Sequence, residues 1–247
     1  MTTTKKFWLY AFAILGASVM LFTSCEKNEN DKPDSGAVKD IDGNEYKTVK
    51  IGNQVWFAEN LKTTKYNNGT PIPNITDNTE WAELSTGAYA WYNNDEATYK
   101  NAYGALYNWF AVETGNLCPT GWRVPTDAEW STLINYIDPN ADGGNNWPNT
   151  AGGKMKSTRT TPDAHPRWES PNTGATDEYG FSALPGGFRY YYDGTFDNVG
   201  YNGYWWSSTE YHATHAWYRD VNYDDGNVGR DNDDKRNGIS VRCLRDN

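Results

Sequence analysis

The sequence predicts an α+β fold, with two helices packed on small antiparallel sheets and long irregular loops between them. Three observations lead there. Apolar residues recur at helical spacing in two places before residue 140. Short aromatic and β-branched runs, each bounded by turn residues, fill the stretch after it. No segment repeats at a period of about 20–50 residues, which sets aside solenoids and propellers. Helical and strand-rich stretches that are segregated along a chain, and do not alternate, read as α+β.

The elements follow in chain order. Lys5 and Lys6 precede an uncharged apolar run, Phe7 to Phe22, and small residues then lead to Cys25. A charged region, an apolar region and a cleavage site predict a signal peptide over residues 1–24. A cysteine directly after the site resembles a bacterial lipoprotein signal, in which Cys25 becomes the lipidated first residue. The competing reading is an uncleaved anchor, for which the run is short against the roughly 20 apolar residues of a span. Glu26 to Gly36 holds no apolar residue, so residues 25–37 are expected to form a flexible tether. An acidic residue after the cysteine also resembles the surface-export signal of some Gram-negative lipoproteins. Export to the outer membrane follows, facing the periplasm or the cell surface.

Residues 38–247 suit one domain of ordinary size. Ile41-Asp42-Gly43-Asn44 is a turn signal, and Glu45–Ile51 and Gln54–Ala58 read as a hairpin about Gly52-Asn53. Leu61 to Leu84, rich in Asn, Thr and Pro, should be irregular. Tyr99, Ala102, Tyr103, Leu106, Tyr107 and Phe110 fall on one face of a helix that Gly115 and Pro119 end. A second helix starts at Thr126, which with Glu129 makes a capping box. Trp130, Leu133, Ile134 and Ile137 give it an apolar stripe, and Asp138-Pro139 stops it. Beyond Asn140 no helix is expected. Short strands are expected near Gly187–Tyr192, Tyr204–Ser208, Ala216–Asn222 and Ser240–Leu244.

Several segments together resemble a known family. They are Cys118-Pro-Thr-Gly-Trp-Arg-Val-Pro-Thr-Asp-Ala-Glu-Trp130, Ala151-Gly-Gly-Lys-Met-Lys156 and Gly180-Phe-Ser-Ala-Leu-Pro-Gly-Gly-Phe-Arg189. Trp205-Trp-Ser-Ser-Thr-Glu210 and Gly238-Ile-Ser-Val-Arg-Cys-Leu-Arg-Asp246 complete the series, and Trp56-Phe-Ala-Glu-Asn-Leu61 matches its start. In order and over nearly the whole of residues 38–247, they resemble the Fibrobacter succinogenes major paralogous domain. That family is similar to the wider C-type-lectin-like group, which includes the formylglycine-generating, sulfatase-modifying enzymes. The resemblance implies a C-type-lectin-like fold whose ends meet in one small sheet, with ligand sites on long loops. It supplies no defined activity.

Cysteine use bears on both compartment and chemistry. With Cys25 taken by lipid, Cys118 and Cys243 remain, and an exported protein usually pairs such cysteines. The bridge would contribute on the order of 4–5 kcal/mol in the chain-entropy model. Two buried free thiols are the alternative. The bridge suits the geometry that the resemblance implies, and it would silence Cys243. Without it, the resemblance to sulfatase-modifying enzymes would make Cys243 a site of oxidative chemistry, although no second free cysteine stands near it in sequence.

Other chemistries leave fainter traces. The net charge of −10 argues against nucleic acid, whose phosphates need a basic face. His212 and His215 lack a third partner and read as surface residues. No G-x-S-x-G elbow, P-loop or H-E-x-x-H is present. Carboxylates are plentiful, but nothing singles out a pair for glycoside hydrolysis. Asp224, Asp225, Asn227, Asp231 and Asp233 form an oxygen-rich stretch that could hold calcium, against the plainer reading of solvated turns. The chain carries 12 Trp and 18 Tyr, whose flat faces suit stacking on sugar rings or protein partners. Most should be core, with Trp122, Trp130, Trp205 and Arg189 as scaffold. Trp147, Tyr191 and Tyr201 are the candidates for an exposed binding face. The sequence therefore points to a lipid-anchored, non-enzymatic module for a glycan or a surface protein. The alternatives are a sulfatase-modifying type of oxidative enzyme or a purely structural envelope protein.

Overall fold

A computed structural model describes residues 1–2 and 37–246. The expected signal peptide, most of the tether and Cys25 lie outside the described residues. Within them, small antiparallel sheets combine with a few short helices, so the coarse α+β expectation holds. No described helix is long and apolar enough to cross a membrane.

The chain opens with strands β1 (Val38–Lys39) and β2 (Glu45–Tyr46), paired across the expected turn. Asp40 organises that turn. Its carboxylate accepts from the backbone N–H of Asp42 and Asn44 and from the Tyr46 hydroxyl at 2.6 Å. β3 (Thr48–Ile51) and β4 (Gln54–Phe57) form the hairpin that the sequence predicts, with Val49 opposite Trp56. A short helix α1 (Asn78–Ala82), capped by Asp77, interrupts a segment expected to be irregular throughout.

β5 (Tyr89–Ala90) precedes α2 (Glu96–Tyr103), β6 (Leu106–Tyr107) and α3 (Trp109–Val112). The single helix expected through Phe110 is thus replaced by a helix, a strand and a second helix. Gly104 is the reason. It adopts φ 79°, and a Cβ there would sit 2.7 Å from the Leu61 carbonyl. The chain turns out of the helix, and β6 pairs with β5. The periodicity is real, but its second half describes a strand followed by a turn of helix.

β7 (Trp122–Arg123) leads into α4 (Asp127–Ile137), which carries the expected capping box. The Thr126 Oγ1 accepts from the Glu129 N–H at 3.3 Å, and the Glu129 carboxylate accepts from the Thr126 N–H at 2.9 Å. After α4 the structure adds a 3-10 stretch (Pro139–Gly144) and helix α5 (Ala151–Met155), where no helix was expected. The glycines of α5 act as contact points there. A Cβ on Gly152 would lie 2.0 Å from the Asn227 carbonyl, and one on Gly153 would lie 2.5 Å from that of Gly174.

β8 (Gly186–Arg189) pairs with β9 (Phe196–Val199). β10 (Asn202–His212), β11 (His215–Asn222) and β12 (Val228–Asp234) make a three-stranded antiparallel sheet. β12 runs through residues read from sequence as turns. β13 (Leu244–Arg245) closes a four-stranded sheet of order β3-β4-β13-β7. Leu244 lies opposite both Trp56 and Arg123, so the last strand fills the gap between the opening hairpin and the Trp122-Arg123 segment. A Cys118–Cys243 disulfide, with Cα atoms 6.0 Å apart, ties the same two regions.

The core is aromatic. Trp56, Trp130, Trp205 and Phe181 pack together beneath the four-stranded sheet, with Trp56 and Trp130 rings 4.8 Å apart. Arg242 is fully buried over the Phe181 ring at 4.3 Å and donates to Asn60 and to the Phe181 and Ser182 carbonyls. Trp130, Trp205 and Arg189 are buried in the scaffold as expected, while Trp122 is half-buried and packs at a tilt against Phe57.

Candidate functional site

The site begins with the two-residue period of the β10-β11-β12 sheet, which sends alternate side chains to opposite faces. Residues directly opposite one another share a face. Tyr204 faces Asp220, Trp206 faces Tyr218, Tyr218 faces Asp231 and Ala216 faces Asp233. One face therefore carries tyrosines and carboxylates together. The other carries Arg219 and Arg230, which both grip Asp127 at the start of α4 at 2.8–3.0 Å. Both faces reach a core cluster, the second through Trp205, Val221 and Val228 and the first through Trp206 and Ala216, and the first also borders a cavity.

On the first face Phe188, Tyr204, Trp206, Tyr218, Asp233, Asn237 and Ile239 line a cavity of about 100 Å³. Neighbouring rings stand steeply to one another. Phe188 meets Tyr204 at 81°, Tyr204 meets Tyr218 at 68°, and Trp206 meets Tyr218 at 86°. They form walls, not a stack. Trp206 is fixed by a hydrogen bond from its indole N–H to the Tyr107 carbonyl at 2.9 Å. Burial pushes the Tyr204 hydroxyl up to about 12 and raises that of Tyr218, with Asp220 adding to both, so both stay protonated as donors.

The acidic groups are equally placed. Burial raises the Asp233 carboxyl above the usual range, although its Oδ1 accepts from the Asp234 N–H at 2.7 Å. Burial, then the charges of Asp225 and Asp231, push Asp220 up to about 6. Nearby cations are committed elsewhere. Arg236 pairs with Asp234 at 2.7 Å, and Lys235 pairs with Glu210 at 2.8 Å.

The candidate residues fall as follows. Tyr191 sits beside the cavity. Its N–H donates to Asn237 Oδ1 at 2.8 Å, its ring meets Tyr190 at 4.9 Å, and Tyr190 in turn meets Phe188. Tyr192, 75% exposed, extends this aromatic rim outward. Tyr201 is 44% exposed and packs against Tyr223, and Trp147 is 55% exposed on the loop before α5. Neither lines the cavity.

The oxygen-rich stretch is divided between a turn and a strand. Asp224 and Asp225 lie in the turn before β12, where Asp225 caps the Asn227 N–H at 2.7 Å and its carbonyl accepts from Lys156. Asn227 Oδ1 is taken by the Asn149 N–H at 2.7 Å. Asp231 and Asp233 stand on β12 itself. Among the described residues no three His, Cys, Asp or Glu side chains gather to hold a metal ion. His212 and His215 face each other across the β10–β11 hairpin at 4.5 Å. Cys243 is buried and bound in its disulfide to Cys118.

Sequence reasoning missed Phe188, Tyr218, Asn237 and Ile239 as a group. The available signal was alternation. In Tyr204-Trp-Trp206 and Tyr218-Arg-Asp220 every second residue belongs to the cavity face. Only strand pairing shows which residues share the face that borders the cavity.

No curated protein and no solved structure matches the chain. One family model does, over residues 49–245, from β3 through β13, and so includes the closing sheet, the disulfide and the aromatic cavity. That span is most of the chain, and it carries every segment on which the sequence resemblance rests, all but Asp246 of the last. The chain belongs to the Fibrobacter succinogenes major domain family.

Proposed function

We propose that this is a lipid-anchored envelope protein with a C-type-lectin-like fold, and that it binds a glycan without catalysing a reaction. The observation that carries the reading is the walled aromatic cavity, with Asp233 and Asn237 beside it and Tyr190, Tyr191 and Tyr192 on its rim. Aromatic faces stack on the apolar faces of sugars, and carboxylate and amide groups fix hydroxyl orientation. The cavity is smaller than the about 150 Å³ that admits a benzene ring, so a substituent enters while the sugar ring lies on the rim. The meeting of the β3-β4 hairpin and β13 in one sheet supports the lectin-like fold, and the apolar run before Cys25 supports the anchor. Engagement of Cys243 in a disulfide favours binding over oxidative chemistry.

A glycan array probed with the full chain, with and without calcium, tests the reading. Specific signal that falls in a Tyr192→Ala, Tyr190→Ala variant is the expected result. Silence in both conditions would leave the structural envelope role. Intact mass of the purified protein tests the anchor, since a mature chain starting at lipid-modified Cys25 is expected.

A further inference from the structure

The charge around the cavity says more about its ligand than its shape does. Asp197, Asp220 and Asp233 all bear on the Tyr204 hydroxyl, and Asp220, Asp231 and Asp233 bear on that of Tyr218. Asp233 lines the cavity and makes no ion pair among the described residues. The Arg and Lys groups around it are paired elsewhere. Arg236 is held by Asp234, Lys235 is held by Glu210 and lies over Trp109, and Arg219 points through the sheet to Asp127. His215, on the neighbouring strand, is the remaining titratable base near Asp233.

Four aromatic side chains set as walls around a small space, with one carboxylate, match the chemistry that holds an ammonium group. Ring faces attract a cation through their quadrupoles, and the attraction grows once water is removed. A neutral hydroxyl can donate to Asp233, but only a cation also draws on the ring faces and the surrounding negative charge. We propose that the group entering the cavity is an organic ammonium, held by Phe188, Tyr204, Trp206 and Tyr218 and neutralised by Asp233. The proposal rests on the reading of this cavity as the glycan site, and it makes the ligand one that carries an amine, either a free amino sugar or a quaternary ammonium substituent.

Calorimetric titration of the full chain with choline, glucosamine, glucose and 3,3-dimethylbutanol separates the cases. The last is the neutral isostere of choline. Choline or glucosamine should bind at least about tenfold more tightly than the neutral isostere and glucose. The choline arm against the glucosamine arm tells a quaternary from a primary ammonium. Asp233→Asn, which keeps the shape and removes the charge, should cut the preference several-fold, and Tyr218→Leu should weaken the binding of either cation. Equal binding of choline and its isostere, or a preference unchanged by Asp233→Asn, overturns the proposal. Neutral glycans that bind on the array and are not displaced by either cation would overturn it while leaving glycan binding intact. Failure of every sugar and every cation would overturn both.

Discussion

Asp42 shows how much one turn residue can carry. Its carboxylate accepts from the Thr64 N–H at 2.6 Å and the Thr64 hydroxyl at 2.9 Å, and pairs with Lys65 at 2.9 Å. Burial alone would raise its pKa. The Thr64 N–H and Lys65 outweigh that and bring it down to about 2. Because the folded value lies below the unfolded value of about 3.9, the carboxylate stabilises the fold above that value. The stabilisation disappears as pH falls from about 4 to about 2 and amounts to roughly 2 kcal/mol. Urea unfolding across this range, for wild type and Asp42→Asn, should show two curves that converge at the acid end. Asp127 makes a second case. It is the shared partner of Arg219, which is buried, and Arg230. Asp127→Ala should cost about 3 kcal/mol, because it leaves a buried guanidinium without its counter-charge. A denaturation midpoint unchanged from wild type would show that Arg219 finds another partner. Neither role was legible in sequence, where both residues are one aspartate among many. The aspartates of the oxygen-rich stretch show the same limit. Asp231 and Asp233 look like a loop until β11 pairs with them and turns both to one face.

At the scale of elements, local chemistry was legible wherever it was self-contained. The Thr126–Glu129 box and the Gly52-Asn53 hairpin depend on neighbours a few residues away, and both formed as read. The helix expected across Tyr99 to Phe110 failed because its end is set from outside, by the Leu61 carbonyl pressed against Gly104. Gly104→Ala should therefore destabilise by more than the helix-propensity gain of alanine, about 2 kcal/mol in total, since φ 79° is also strained for a Cβ. The denaturant midpoint measures this, and a stabilised variant would mean that α2 runs on through residue 104. β12 was invisible for a related reason. Its sequence, VGRDNDD, holds few strand-forming side chains, and it is kept by its ladder to β11 and by Arg230 lying on Trp217 at 3.6 Å.

For the whole molecule, the two motifs most visible in the sequence are scaffold. The front segment after Cys118 and the closing segment around Cys243 meet in one sheet under one disulfide. With a sequence separation of 125 between the cysteines, the crosslink restricts most of the unfolded domain and should contribute on the order of 4–5 kcal/mol. Thermal unfolding with and without reductant should show the loss, and a Cys118→Ser, Cys243→Ser variant should match the reduced protein. If reduction leaves the midpoint in place, the sheet alone sets stability. The candidate site lies elsewhere, between the β10-β11-β12 sheet, β8 and the segment before β13, so it was present in the sequence only as scattered aromatics.

The place of β13 has a consequence for how the protein is made. β4 and β7 do not touch in their sheet. Each keeps an unpaired edge until Leu244 arrives between them, after β8 to β12 have all been delivered. A chain emerging from its N-terminal side cannot close this sheet or its disulfide until residues 243–245 are out, however much of the rest has already paired. One short strand, late in the order of elements, thus sets when the sheet begun by β3 and β4 is completed.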